Sequence, residues 1–406
     1  MPDQIDITLP QGTIRGAARD GHRARQGVPF AKPPAGPLRW RRPLPADSWR
    51  GVRLATRPAP AAPQPHAAGQ PEPSEDCLYL DVCAPAGRPP PGGWPVLLFF
   101  HGGGDQAGPA QQPGLGEPFA RAGIVVVKPQ YRLGALGFLN LGDISGEADA
   151  GACGLLDQLA ALRWTHRAIG AFGGNPERIT IYGQSAGAKA VGDLLGSPVA
   201  RGLFAQAISS SGGAEDVAEP AATAAVTRLF LQAMGTADPG VLRSAPVSDI
   251  LAAQQSIMPD VKGLWTWRPT VHPEAAPGLP IDAISRGSAA GVRLLIGACH
   301  PGPPAAGAGG ARCLGVVRED RPPGRPGAAG LARVRAARPP DHGPRRRQPR
   351  GAGPAPQRAC LLGRGPLGVR DLVPAAASGP GHLTARPPGA GARAGVTPAR
   401  GRAGSR

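Results

Sequence analysis

Aromatic residues make up only 4% of this 406-residue chain, and none lies beyond residue 300. Ile, Met, Asn and Lys are missing from the same C-terminal stretch. From Pro301 onward, 19 arginines stand against four acids: Glu319, Asp320, Asp341 and Asp371. With 21 glycines and 18 prolines beside them, this stretch lacks the apolar side chains that offset the entropy of an ordered backbone. Residues 301–406 are therefore expected to form a low-complexity Arg/Pro/Gly/Ala tail. Two origins fit: a disordered basic tail, or translation of a GC-rich gene in a shifted frame. The net charge of +17 belongs mainly to this segment, which excludes a uniformly basic nucleic-acid-binding protein. A further role for the tail, non-specific binding to nucleic acid or an anionic surface, lacks the aromatic side chains on which bases stack. No specific nucleic-acid partner is expected.

Long apolar runs are also absent. None approaches the roughly 18 residues that cross a bilayer, so no membrane span is expected. Met1 to Asp6 is acidic and has no apolar h-region, which predicts no secretory signal. The six cysteines form no CxxC pair and show no spacing with His that fits zinc. Free thiols in a reducing cytoplasm follow as the expectation.

What is present lies in residues 1–300, enough chain for a full core. The first 90 residues read as short strands and turns punctuated by proline. Regular alternation begins near Trp94. Pro95 to Phe100 is a continuous apolar run of the kind found in strands buried on both faces, and Ile124 to Val127 is a second. Leu155, Leu159, Leu162 and Ile169 recur at helical spacing, and Asn175-Pro176 is expected to end that helix. Further strands are predicted over 179–182, 204–209 and 292–296, with a helix over 188–195. Strands alternating with helices argue an α/β fold around a mostly parallel sheet.

Two motifs carry chemistry. Gly183-Gln184-Ser185-Ala186-Gly187 has the G-x-S-x-G form between a predicted strand and a predicted helix. In that setting a sharp turn presents the serine hydroxyl at a helix N-terminus, and small flanking residues let strand and helix approach. Ser185 is the candidate nucleophile. His101-Gly102-Gly103-Gly104 directly follows a buried strand. Consecutive glycines let backbone N–H groups converge on a developing oxyanion, and the candidate donors are Gly103, Gly104 and Ala186. His101 is expected to orient that loop rather than carry a proton.

The residues also resemble a family. Ser74 to Val82, SEDCLYLDV, is similar to the SEDCLYLNV signature of the type-B carboxylesterases, the cholinesterase-like branch of the α/β-hydrolases. Tyr131 to Leu139 resembles the NYRLGALGFL segment of that family, and Gly154 to Gln158 its GLLDQ. Pro29 to Pro34 and Ala171 to Pro176 fit as well. The resemblance covers about residues 5–299 in order. It implies an α/β-hydrolase domain over 1–300, a small-molecule ester substrate, an acyl-enzyme formed by a Ser–His–acid triad, and no cofactor. It also implies that Ser211 hydrogen-bonds the triad acid, although a capped strand end explains Ser211 equally well.

Several positions depart from the family. Asp105 stands where an aromatic usually follows HGGG, which implies a more polar pocket. Ala152 replaces a common Asn, and Cys77 has no upstream cysteine to pair with. The acid-bearing turn is represented by Gly297-Ala298-Cys299-His300-Pro301-Gly302, which has no carboxylate. The triad acid and the triad His are both unassigned, His342 and His382 lying in Pro/Arg/Gly sequence. The domain is therefore expected to be C-terminally incomplete. Two functions remain open: an esterase, impaired to the extent that acid and base are missing, or a non-catalytic cholinesterase-like binding module. Oligomeric state is not readable.

Overall fold

The computed structural model describes residues 4–65, 73–108, 115–261, 266–301 and 311–318. Its strands are β1 Gln4–Leu9, β2 Gly12–Arg19, β3 His22–Pro29, β4 Val52–Leu54 and β5 Tyr79–Pro85. They continue as β6 Trp94–Phe100, β7 Val125–Pro129, β8 Gly174–Gln184, β9 Gln206–Ser210, β10 Arg293–Pro301 and β11 Ala311–Arg318. Among the described residues all join one sheet, ordered β1-β2-β3-β5-β7-β6-β8-β9-β10-β11, with β4 beside β2.

The first strands pair antiparallel because short turns join them. Arg19 faces His22 across Asp20-Gly21, and Gly21 takes a φ of 72°, the left-handed conformation that an Asp-Gly hairpin turn requires. From β7 to β10 every pairing is parallel. β6 explains why its sequence is apolar throughout. Val96, Leu98 and Phe100 join the main core, while Leu97 packs with Ile124 and Val126 on the opposite face. The helix Cys153–Ala168 buries Leu155, Leu159, Leu162 and Trp164 in the main core, and every residue of the helix Ala186–Gly196 is buried.

β6 lies between β7 and β8, so the chain leaves it on one side and returns on the other. In open α/β sheets such a reversal leaves a crevice at the carboxyl ends of the strands. His101 follows β6 and Ser185 follows β8, so both candidate motifs open at that crevice.

Two local expectations differ from the structure. The helix ends at Ala168, followed by a 3-10 turn over Ile169–Phe172 and by Gly173 at φ 81°. Gly173, not Asn175-Pro176, stops it, and Pro176 lies within β8. At the other end, the sheet does not finish with the 292–296 segment. β10 continues to Pro301, and β11 pairs with it antiparallel, from Leu294↔Arg318 to Pro301↔Ala311. One piece of the expected tail is thus a strand by its backbone pairing. The remainder of that tail, with Glu319, His342 and His382, lies outside the described residues.

Candidate active site

Ser185 occupies the turn between β8 and the helix Ala186–Gly196, with φ 57° and ψ −122°. A positive φ is costly for a residue with a side chain, by about 1–3 kcal/mol, so the surroundings must hold it. Ser185 N–H donates to the Ser210 carbonyl at 2.9 Å, and the Ser185 carbonyl accepts from Ala188 and Lys189 N–H. The small neighbours are a steric requirement. A methyl on Gly187 would collide with the Phe100 carbonyl oxygen, and one on Gly183 with the Gly187 carbonyl. Ser185 itself is half-buried, and Ala186 N–H, at the first helical position, has no acceptor within the helix.

The glycine loop after β6 lies against this turn. A methyl on Gly102 would stand 3.1 Å from Ser185 Cβ. Gly103 takes φ 126° and Gly104 φ 63°, so the chain bends where side chains would obstruct it. The Gly103 carbonyl accepts from Ala107 N–H at 3.1 Å, and Gly108 N–H donates to Gln64 Oε1 at 2.8 Å. His101 is fully buried and stacked on Tyr131 at 4.4 Å, and Tyr131 Oη donates to its carbonyl at 2.7 Å. Its Nδ1 lies 2.9 Å from the Gly102 carbonyl. A carbonyl only accepts, so Nδ1 carries the proton. Burial pushes the His101 pKa down to about 4, against the opposing hydrogen bond to Gly102, so the ring is neutral near pH 7.

Ser211 stands at the end of β9 with φ 60°, and its N–H donates to the Gly297 carbonyl of β10 at 2.6 Å. It therefore lies between the Ser185 turn and the place where the family's acid-bearing turn would start. Over the described part of that segment, the backbone from Gly297 to Pro301 stays extended and pairs with β11. Among the histidines whose side chains the structure describes, none hydrogen-bonds Ser185. His272 is bound elsewhere. Its Nδ1 accepts from Glu274 and Ala275 N–H, and its Nε2 lies 3.1 Å from Asp149 Oδ1.

Sequence reasoning missed a buried charge cluster beside the site. Lys189, one turn into the helix after Ser185, places Nζ 3.2 Å from Asp216 Oδ1 and 3.4 Å from Glu215 Oε1. The Asp105 and Asp216 carboxyls adjoin, close enough for one to hydrogen-bond the other once protonated, and Asp105 Oδ2 has no other partner. Asp193 lies one helical turn beyond Lys189, fully buried, and neither of its carboxyl oxygens has a hydrogen-bond partner. Burial, then the neighbouring carboxylates, pushes Asp105 and Asp193 well above the ordinary carboxylate range. The available signal was a Lys and an Asp at i and i+4 in a helix otherwise made of small and apolar residues.

Residues 3–301 match the carboxylesterase family. The chain is 36% identical over 310 residues to the para-nitrobenzyl esterase of Bacillus subtilis (strain 168), covering 73% of this chain and 62% of that protein. It is 38% identical over 287 residues to the fumonisin B1 esterase of Sphingopyxis macrogoltabida, covering 67% and 51%. The carboxylesterase structure of Geobacillus stearothermophilus superimposes with a TM-score of 0.67 at 39% identity, covering 72% of this chain and 61% of that one. The chain thus spans less than two thirds of the length of these relatives.

Proposed function

The chain belongs to the carboxylesterase family, and from that premise we propose that it attacks small carboxylic esters through Ser185. The observation that carries this is the convergence of Ser185, in its strained turn, with the glycine loop at the carboxyl ends of β8 and β6. Ser185 Oγ adds to the ester carbonyl carbon. The carbonyl oxygen takes the negative charge and is received by the N–H groups of Gly103, Gly104 and Ala186. Collapse of the adduct releases the alcohol and leaves an acyl-serine, which water cleaves. His101, neutral and stacked on Tyr131, holds the loop. Ser211 ties the end of β9 to β10. The base that takes the Ser185 proton is assigned to no residue.

An organophosphonate ester tests the nucleophile, because its phosphonyl oxygen engages the same N–H donors. Mass spectrometry should find the adduct on Ser185 and none in the Ser185→Ala variant. Labelling of another serine that persists in that variant refutes the assignment. A second reading, a non-catalytic binding module, rests on the segment Gly297 to Gly302, which carries no carboxylate where the family places its acid. A Ser185 that reacts with the phosphonate excludes a site without nucleophilic capacity. A folded chain that never labels supports the binding module.

A further inference from the structure

We propose that Asp105 and Asp216 share a proton across a buried clamp that holds the oxyanion loop in its working shape, making Asp105 a positioning residue for Ser185 chemistry. The inference rests on Ser185 being the nucleophile.

The clamp joins three segments that build the site. Asp105 follows the two candidate oxyanion glycines, is 2% exposed and takes φ 57°. Its backbone is pinned where its carbonyl accepts from Gly134 N–H at 2.7 Å. Asp216 belongs to the loop after β9, whose Gly212 lies so close to the nucleophile turn that a methyl on it would stand 2.9 Å from the Ser185 carbonyl oxygen. Lys189 belongs to the nucleophile helix, and its N–H donates to the Ser185 carbonyl at 3.1 Å. Its ammonium group reaches Asp216 at 3.2 Å.

Two carboxylates cannot hydrogen-bond each other; one must be the acid. Burial raises the pKa of both carboxyls, but Lys189 and Arg268 favour the charged form of Asp216 while Asp105 is pushed well above its ordinary range, so the proton sits on Asp105 and is donated to Asp216. The groups around Asp105 reinforce this. Asp216 repels a second charge, Asp193 is buried with it, Glu215 lies at the rim, and Tyr131 is a buried phenol held neutral. His101, stacked on Tyr131, is neutral as well. Lys189 is the cation that opposes the proton on Asp105. Loss of that proton places two negative charges in hydrogen-bond contact and forces the loop bearing Gly103 and Gly104 away from Ser185.

The test compares Ser185 phosphonylation rates of the full chain and its Asp105→Asn and Asp216→Asn variants from pH 5 to 10. Circular dichroism at each pH ensures that only folded protein is compared. Taking rates as a ratio to Asp105→Asn cancels the pH dependence of the serine. The side-chain amide of the Asp105→Asn variant keeps an N–H donor at every pH, so the wild-type rate should match it in acid and fall ~10-fold or more behind it in alkali. In Asp216→Asn the repelling charge is gone, so deprotonating Asp105 no longer sets two charges against each other and the alkaline loss should disappear. A wild-type ratio that stays constant with pH overturns the clamp, as does an alkaline loss that Asp216→Asn retains. Failure of the nucleophile assignment is distinguishable, because Ser185→Ala would then still be labelled.

Discussion

A methyl group is the smallest probe of the nucleophile turn. In Gly187→Ala the new Cβ meets the Phe100 and His101 carbonyl oxygens, which are backbone and cannot swing aside. Separating the helix from β6 would also carry Ser185 off the glycine loop. Phosphonate labelling of Ser185 in this variant should fall at least ~100-fold, the order lost with one oxyanion donor, and the thermal midpoint should drop with it. His101 gives a prediction with a sign. Unfolded, it takes up a proton near its ordinary pKa of 6.5; folded, it does so only near 4. The unfolded chain therefore binds more protons between those values, and acidification through that window lowers stability. Urea unfolding of wild type and His101→Asn should show a steeper loss in wild type there, and equal slopes would show that His101 is protonated while folded. The turns that carry Ser185 and Gly103-Gly104 were legible in sequence because each is a motif of a few consecutive residues. Asp105, Lys189 and Asp216 were not legible as a group, because partners 27 to 111 positions apart meet only through β6, β8 and β9. Asp105 stood out alone, as a charge where an aromatic was expected.

Elements with one dominant requirement were the readable ones. β6 and β7 must be apolar on both faces, so their runs announced them. β11 carries no such mark, since Ala311 to Arg318 mixes arginine and glycine with short apolar residues; its place comes from backbone pairing alone. The helix Cys153–Ala168 shows what motif recognition leaves out. Asp157 of the GLLDQ segment accepts from Arg132 Nε at 2.8 Å, Arg132 Nη2 at 2.7 Å and Arg132 N–H at 3.0 Å. Both side chains are buried. The paired motifs are one structural joint, between the loop after β7 and the helix. Asp157→Asn leaves a buried guanidinium without its counter-charge and should cost about 3–5 kcal/mol, read as a lower urea midpoint. A loss under about 1 kcal/mol would mean that solvent reaches Arg132.

At the scale of the whole chain, the match to the family ends at residue 301, where the composition changes to Arg, Pro, Gly and Ala. The frame-shift explanation predicts that another frame, opening within codons 297–303, encodes a G-x-x-x-D-E turn and later a G-x-x-H. It also predicts that p-nitrophenyl acetate turnover by the chain as given lies at least ~1000-fold below that of the restored chain, since losing triad members costs ~10⁴ to 10⁶ in serine hydrolases. Equal, Ser185-dependent rates in both would show that the chain as given already holds an acid and a base. Asp149 adds an acid-sensitive contribution at lower pH than His101. Burial alone would raise its pKa, but hydrogen bonds from His272 and Arg42 outweigh that and hold it below the ordinary carboxylate range. The stability this contributes is intact above about pH 4 and is lost as acid protonates the group.

The order of strands also governs what a ribosome releases. β7 emerges soon after β6 and can zip onto one of its edges, but β6's other neighbour, β8, comes from residues 174–184. Until then the nascent sheet presents Val96 to Phe100 as a bare, wholly apolar rim, open to any extended segment on a neighbouring polysome. Ser185 leaves the exit tunnel directly behind the strand that closes that rim. Vectorial synthesis thus delays the nucleophile turn until the gap beside β6 can be filled, and chaperone demand should be greatest while roughly residues 100–180 are emerging.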